Sequence, residues 1–141
     1  MARIKIEIPI QKIATVQIKV RITDINYGSH LGNDALVGIL HEARLQWLQH
    51  FNYTELNIQG VGLIMSDLAV EYKNESFYGD DLTIALFVGE VTAVSFELYY
   101  SVANQSDKVI AKAKTGMVCY SYVQKKVTTM PNELAKLLAI G

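Results

Sequence analysis

The chain is 141 residues long, with 50% hydrophobic and 19% charged residues. This length and composition suit one globular domain over residues 1–141 and exclude an intrinsically disordered chain. A formal net charge of -1, with the basic residues scattered, excludes an electrostatically driven nucleic-acid binder.

The single cysteine, Cys119, excludes an internal disulfide, which is typical of a reducing compartment. It lies in the apolar run GMVCYSYV, which predicts a buried thiol rather than a nucleophile. The first ten residues, MARIKIEIPI, alternate charged residues with isoleucine and contain no continuous apolar stretch. We therefore expect a cytoplasmic protein with neither a signal peptide nor a membrane anchor.

Two segments near the N-terminus alternate in the way of β-strands. Isoleucine occupies every second position of residues 4–10, although Pro9 removes one backbone donor from that segment. In residues 16–23, β-branched apolar side chains alternate strictly with polar ones. The second segment is therefore the clearer strand, and the chain begins with one or two strands.

The periodicity then changes and predicts a long helix from near residue 34 to near residue 51. Asn33 is a suitable N-cap, and Asp34 places a carboxylate in the first turn, where the helix dipole favours it. Arg44 falls inside the apolar arc of the helix, so its charge should be paired. The apolar side chains of that arc are Leu36, Val37, Ile39, Leu40, Ala43, Trp47, Leu48 and Phe51.

From Gly60 onward the chain has the pattern of strands. The four runs are LIMSDLAVEYK, DLTIALFVGEV, AVSFELYYSVAN and KVIAKAKTGMVCYSYV. Their connections are short, which predicts antiparallel hairpins, with NESFYGDD as one of the hairpin turns. Pro131 and Glu133 mark the start of a short C-terminal helix in MPNELAKLLAIG.

This order of elements predicts an α+β domain, in which a curved antiparallel β-sheet is wrapped around a long central α-helix. Apolar and aromatic side chains also occupy strand positions that face away from the helix, namely Phe87, Tyr99, Tyr120 and Tyr122. We therefore expect a homodimer or a larger homo-oligomer.

The segment TDINYGSHLGND, residues 23–34, concentrates polar side chains between the second strand and the long helix. Free N–H groups and the positive dipole end of a helix suit a carbonyl oxygen that becomes an oxyanion. A carboxylate or imidazole beside those donors completes the minimum for acyl hydrolysis. The same residue types also form ordinary turns and caps, so the pattern alone leaves both interpretations open.

The order RITDINYGSHLGN followed by LHEARLQWL resembles the hotdog-fold thioesterases of the 4-hydroxybenzoyl-CoA thioesterase type. Those chains commonly carry an acidic cluster, then Gly-His-x-Asn-Asn, then a helix with Glu-Ala-Arg. The later matches are Tyr72 at a strand end, Gly79 and Asp80 in YGDDL, Ser95-Phe96 and Pro131. The resemblance covers roughly residues 13–139, and it is more specific for the hotdog fold than for the reaction.

By this resemblance, the substrate is an acyl thioester of coenzyme A or of acyl carrier protein, and hydrolysis gives a free acid and a thiol. Such proteins form homodimers, often paired as dimers of dimers. Each site combines the helix N-terminus of one subunit with strands of the next. We expect no metal and no cofactor, and the two helix histidines, His41 and His50, have no second ligand at metal spacing.

The chain departs from the family pattern in the loop itself. When the family motif is aligned on His30, the position of the usual catalytic aspartate is occupied by Asn26. The nearest aspartate in this chain is Asp24, two residues earlier. Ser29 and Gly32 also replace the usual glycine and the first asparagine of the pair. The fold prediction is unaffected, but the family's standard mechanism does not transfer intact.

The expected catalytic residues are Asp24, Asn26 and His30. We expect His30 or Asp24 to activate a water molecule, and Asn26 to orient that water or the thioester carbonyl. Backbone N–H groups near Asn33 and Asp34 would then stabilise the oxyanion. The expected substrate-binding residues are Tyr27, Gly28, Ser29, Asn33, Asp34 and Glu42.

Two other functions stay open on the sequence. Asn26 in place of an aspartate favours a non-catalytic binder of acyl thioesters, because an amide is neither a base nor a carboxylate nucleophile. A hydratase or dehydratase on the same fold would act on similar acyl chains. Those enzymes usually carry a proline-rich loop, whereas the prolines here are Pro9 and Pro131.

Overall fold

The computed structural model describes residues 3–139, and within that range it contains six strands, two α-helices and one 3₁₀ turn. The strands are β1 Lys12–Lys19, β2 Gly62–Tyr72, β3 Asp81–Val91, β4 Ser95–Ala103, β5 Val109–Ser121 and β6 Lys126–Val127. The helices are α1 Asn33–His50 and α2 Asn132–Ala139, and the 3₁₀ turn is Ile22–Asp24. Neither helix has an apolar stretch long enough to cross a membrane.

The strands form one antiparallel sheet in the order β1-β3-β4-β5-β2, and β6 pairs with the end of β5. Buried and half-buried positions alternate along β3 and β4, so one face of the sheet supplies the core. The apolar arc of α1 packs into that core, where Trp47 meets Phe96 edge-on at 6.5 Å between ring centroids. The predicted α+β architecture is confirmed, and α1 agrees with the predicted helix to within one residue at each end.

The predicted first strand is wrong, because residues 4–10 do not pair with the sheet. Of the four isoleucines in this segment, Ile6 is buried, whereas Ile4 and Ile10 are exposed. The N–H of Ile6 donates a 3.0 Å hydrogen bond to the Glu71 carboxylate instead of to a strand backbone. Pro9 lacks a donor for a ladder, which is consistent with an extended arm rather than a strand.

The second predicted strand is confirmed with shifted ends, since β1 covers Lys12–Lys19 instead of residues 16–23. Val16 and Val20 are buried, as the alternation predicted, but Ile22 is 68% exposed. Ile22 begins the 3₁₀ turn, so the chain leaves the sheet before the alternating pattern ends.

The connection between β2 and β3 is not the predicted hairpin. β2 lies at one edge of the sheet, and β4 and β5 separate it from β3. Residues 73–80, here called the crossing segment, therefore pass across the end of the sheet. An extended segment of this length reaches about 26 Å, which exceeds the separation of about 14 Å between strands three positions apart. Gly79, with φ +83, turns the chain into β3.

The thiol of Cys119 is buried in β5, as predicted. Burial raises the pKa of this thiol to about 11, because the thiolate would be poorly solvated there. Cys119 therefore acts as a small core side chain and not as a nucleophile.

Candidate active site

Asn26 closes the loop between the 3₁₀ turn and α1 with its own side chain. Its Oδ1 accepts hydrogen bonds from the N–H of Gly28 at 2.8 Å and of His30 at 3.4 Å. Its backbone N–H donates to the carbonyl of His30 at 2.9 Å. The oxygen of the Asn26 amide is therefore committed to the loop, which leaves its Nδ2 for contact with a ligand.

Asp24 is also committed to local structure. Its side chain is buried and accepts hydrogen bonds from the Arg21 backbone N–H at 2.8 Å and from the Arg21 guanidinium at 3.3 and 3.4 Å. Its carbonyl accepts the N–H of Gly32 at 2.9 Å. Within residues 3–139 no hydrogen bond joins Asp24 to His30, so the carboxylate does not orient that imidazole directly.

His30 faces a cavity of about 230 Å³, here called the His30 cavity. One wall is residues 30–33 with Leu36, and the opposite wall is residues 72–76 with Ile110. The imidazole Nε2 lies 4.0 Å from Oε1 of Glu75, and the His30 side chain is 35% exposed. Glu75 is thus the carboxylate that meets His30, and it comes from the crossing segment rather than from the loop.

The N-terminus of α1 opens into the same cavity. Gly32, and not Asn33, is the N-cap, and within the described chain no side chain caps the helix. The first intrahelical hydrogen bond runs from the N–H of Leu36 to the carbonyl of Gly32 at 3.1 Å. The preceding N–H groups of residues 33–35 have no intrahelical partner, and they are the donors available to an oxyanion.

Tyr72 ties the end of β2 to this helix terminus. Its hydroxyl donates to the carbonyl of Asn33 at 3.0 Å. Burial, together with the negative charge of Asp34, raises the pKa of Tyr72 above its ordinary value. The phenol therefore stays protonated at neutral pH and acts as a hydrogen-bond donor at the cavity wall.

Asp80 fixes the crossing segment against the loop. Its carboxylate accepts hydrogen bonds from the Ser76 hydroxyl at 2.8 Å, the Phe77 N–H at 3.0 Å and the Gln105 amide at 3.0 Å. Burial alone would raise the pKa of Asp80, but these bonds outweigh it and hold that pKa below its ordinary value. The carbonyl of Ser76 in turn accepts the N–H of Leu31 at 2.7 Å.

The other residues expected at the site do not line the His30 cavity, although a Cβ at Gly28 would lie 3.3 Å from Nε2 of His30. Tyr27, Gly28 and Ser29 are exposed at the tip of the loop. Asp34 and Glu42 line a separate groove of about 710 Å³ between α1 and β1. The His30 cavity therefore brings together His30 and Asn33 of the expected set.

Tyr72 and Glu75 complete the cavity from the far end of β2. The ordered motifs in the sequence included Tyr72, but nothing in the sequence pointed to Glu75. Its place beside His30 depends on the crossing of the sheet, and no strand pattern specified that crossing.

An antiparallel sheet packed around one long helix defines the hotdog fold. The chain belongs to the thioesterase-like superfamily, whose family model matches residues 20–138.

Similar proteins agree with this assignment. A 1,4-dihydroxy-2-naphthoyl-CoA hydrolase from Acaryochloris marina is 30% identical over 67 residues, which are 46% of this chain and 49% of that protein. The chain thus spans about half the length of this curated relative.

Solved structures share the fold at lower sequence identity. A 1,4-dihydroxy-2-naphthoyl-CoA thioesterase from Synechocystis superposes with a TM-score of 0.81 at 20% identity, covering 89% of this chain and 94% of that one. A DHNA-CoA thioesterase from Staphylococcus aureus gives 0.80 at 15% identity, covering 89% and 88%.

Proposed function

We propose that the protein is a coenzyme A thioesterase that hydrolyses an aromatic acyl thioester of the 1,4-dihydroxy-2-naphthoyl-CoA type. The observation that carries the proposal is the meeting of His30, Glu75 and the uncapped N-terminus of α1 in one cavity. The hydrolase from Acaryochloris marina supports this choice of acyl group. The reaction needs no metal or cofactor, because the base and the oxyanion donors come from the chain.

In the proposed reaction, His30 takes a proton from a water molecule, and the water oxygen attacks the thioester carbonyl carbon. The oxyanion accepts hydrogen bonds from the free N–H groups of Asn33 and Asp34. The carbon–sulfur bond then breaks, and the thiolate takes the proton from His30. The products are the aromatic acid and coenzyme A. Glu75 stabilises the imidazolium that forms between these steps, as the carboxylate partner of a catalytic histidine does.

Asp24 and Asn26 receive supporting roles in this proposal. Asp24 holds the 3₁₀ turn through Arg21, and Asn26 holds the loop through its Oδ1. Asn26 does not line the His30 cavity, but its Oδ1 and Nε2 of His30 would each lie 3.3 Å from a Cβ at Gly28, so we assign its Nδ2 to orient the water or polarise the carbonyl. The absence of an aspartate at position 26 is therefore compatible with hydrolysis, because Glu75 supplies the carboxylate from the opposite wall.

We also propose that the protein works as a homodimer, paired through β2. This strand lies at an edge of the sheet, and its middle exposes Met65 by 45% and Leu68 by 37%. Antiparallel pairing of two copies about the middle of β2 would set Tyr72 of one copy beside Gly62 of the other. Half-buried Phe87 and Tyr99, on the outer face of the sheet, offer a surface for a dimer of dimers.

Release of free thiol from a panel of coenzyme A thioesters tests the activity. The panel contains 1,4-dihydroxy-2-naphthoyl-CoA, benzoyl-CoA and straight-chain acyl-CoA from short to long. We expect turnover on the aromatic members and a loss of about 100-fold or more in His30→Gln. His50→Gln, which changes an exposed histidine at the other end of α1, is the matched control. No thiol release from any coenzyme A ester would contradict the proposed activity.

Light scattering coupled to size-exclusion chromatography tests the dimer. We expect twice the chain mass of 15.7 kDa for the wild type and a shift toward monomer in Leu68→Lys. A wild-type monomer at assay concentration would rule out the dimer.

One observation favours a second candidate, a binder of acyl thioesters without turnover. Asn26 stands where the resembling family has its catalytic aspartate, and its amide oxygen is occupied within the loop. Tight binding of an acyl-CoA, without thiol release or loss of enoyl absorbance, would establish that function. Loss of enoyl absorbance would instead identify a hydratase.

A further inference from the structure

A second cavity, of about 320 Å³, lies between the middle of α1 and the strands β2 and β5. Its walls are mainly apolar and include Leu40, Leu63, Met65 and Met117. Arg44 also lines it, and we call it the Arg44 cavity. It shares no lining residue with the His30 cavity.

Arg44 is 5% exposed and is paired, as its place in the apolar arc predicted. Its Nε donates to the carboxylate of Glu55, and its Nη1 donates to the Tyr100 hydroxyl at 3.1 Å. The hydroxyls of Tyr100 and Thr115 lie 2.7 Å apart. Glu55 also contacts His41, whose Nε2 is 2.7 Å from Oε1. Each polar neighbour of Arg44 is therefore already engaged.

The Nη2 nitrogen of Arg44 differs from these groups in its hydrogen bonding. Nη2 has no hydrogen-bond partner within residues 3–139. By contrast, every side-chain nitrogen and oxygen in that range that is inaccessible to solvent has such a partner. Nη2 must therefore keep accessible surface, and the cavity that Arg44 lines is where a ligand would reach it. The cavity thus contains one unpaired donor, because the other polar side chains that line it, His41, Glu55 and Thr115, already have hydrogen-bond partners.

The charges select the kind of group that this donor would bind. Glu55 already compensates the guanidinium, and its side chain is 17% exposed. A second carboxylate would therefore enter without a free positive charge to compensate it, and its desolvation would be costly. A neutral acceptor, such as a phenolic hydroxyl or a ring carbonyl, satisfies Nη2 without that cost.

The side chains that line the Arg44 cavity indicate the shape of the ligand that it would bind. Met65 and Met117 provide sulfur atoms that pack well against aromatic rings. An apolar cavity of about 150 Å³ holds benzene, so the 320 Å³ available here is sufficient for two fused rings.

We propose that the Arg44 cavity binds the hydroxylated aromatic part of the acyl group, with a ring oxygen accepting from Nη2 of Arg44. This proposal rests on the proposed function for the origin of its ligand. The cavity opens beside Leu63, Met65 and Leu68 of the exposed β2 edge. Pairing of two β2 strands would therefore place it next to the His30 cavity of the second copy. Arg44 then selects the acyl group, while His30 of the other copy performs the hydrolysis.

Direct binding tests the cavity without requiring turnover. Fluorescence titration of the wild type with 1-naphthol and with naphthalene compares two ligands that differ by one hydroxyl. We expect 1-naphthol to bind at least tenfold more tightly. The double variant Arg44→Met/Glu55→Gln removes both buried charges together, which avoids leaving one unpaired. It should bind the two ligands equally well.

A second variant keeps the polar network and fills the space. Met65→Trp changes a half-exposed side chain at the rim, and we expect it to weaken the binding of both ligands at least tenfold. Gln49→Trp, on the exposed side of α1, is the control. Equal binding of naphthol and naphthalene by the wild type, or unchanged binding in Met65→Trp, would overturn the proposal. Thiol-release assays report the proposed function separately, so the two can fail independently.

Discussion

The N–H of Leu31 donates a 2.7 Å hydrogen bond to the carbonyl of Ser76, and this bond joins the histidine loop to the crossing segment. Ser76 is in turn held by the carboxylate of Asp80. The position of Glu75 beside His30 therefore depends on Asp80, which does not itself line the cavity.

We expect Asp80→Ala to reduce thioester turnover about tenfold or more while the domain stays folded, because the crossing segment loses three hydrogen bonds. Circular dichroism and thiol release measure the two effects. Asp81→Ala is the matched control, since the Asp81 carboxylate forms an exposed ion pair with Lys19, whereas the Ser76 hydroxyl donates to Asp80. Full activity in Asp80→Ala would show that Glu75 keeps its place without this support.

The lowered pKa of Asp80 also predicts that the stability of the protein depends on pH. Its pKa is held below the ordinary value of 3.8 in the folded chain. Its contribution is therefore fully present above that value and is lost as the pH falls through the lower folded pKa. The free energy of unfolding, measured with urea from pH 6 to pH 2, should fall less steeply in Asp80→Asn below pH 4. Parallel curves for the variant and the wild type would contradict this assignment.

Glu75 predicts a loss of turnover that follows its charge. Its carboxylate lies 4.0 Å from Nε2 of His30 and would stabilise the imidazolium that forms during hydrolysis, so Glu75→Gln should lower kcat about tenfold or more while KM changes little. Glu90→Gln, which changes an exposed glutamate on β3, should leave both constants unchanged. An unchanged kcat in Glu75→Gln would remove Glu75 from the catalytic group.

Two glycines, Gly32 at the N-cap of α1 and Gly38 within the helix, can be substituted as a matched pair. A Cβ at Gly32 would lie 2.8 Å from Oδ1 of Asp34, whereas a Cβ at Gly38 would have nothing within 4 Å. Gly32→Ala should therefore displace Asp34 at the helix N-terminus and lower turnover. Gly38→Ala should stabilise the helix by about 1 kcal/mol. Thermal unfolding and thiol release distinguish the two, and equal effects would show that the close approach at Gly32 has no consequence.

The burial of Cys119 predicts that its thiol is unreactive in the native protein. Because its thiol is buried and its pKa is about 11, an aromatic disulfide reagent at pH 8 should not label the native protein. The reagent should label one thiol per chain after unfolding in urea. Rapid labelling of the native protein would contradict the burial of Cys119. The same reagent can then follow substrate thiol release without interference from the enzyme.

The helix and most strands were predictable because side-chain periodicity reports which face of an element is buried. The order of strands was not predictable, because alternation along β2 and β3 does not say which strands pair. This contrast between predictable elements and unpredictable strand order explains which site residues could be predicted. His30 lies in a loop with a distinctive sequence, whereas Glu75 comes to it only through the crossing. Sequence also could not show that Asp24 and Asn26 bond within their own loop, since turn residues and catalytic residues are the same types.

The crossing segment also constrains how the protein folds. Leu31 and Ser76 are far apart in the chain, and β2 pairs with β5, which is synthesised much later. Such non-local pairings form slowly, because chain entropy is lost before the contacts are gained. The His30 cavity therefore cannot be completed before β5, which supplies Ile110, has been synthesised. Appearance of ligand binding during refolding would thus mark completion of the sheet, and a kinetic intermediate with a formed helix would be inactive.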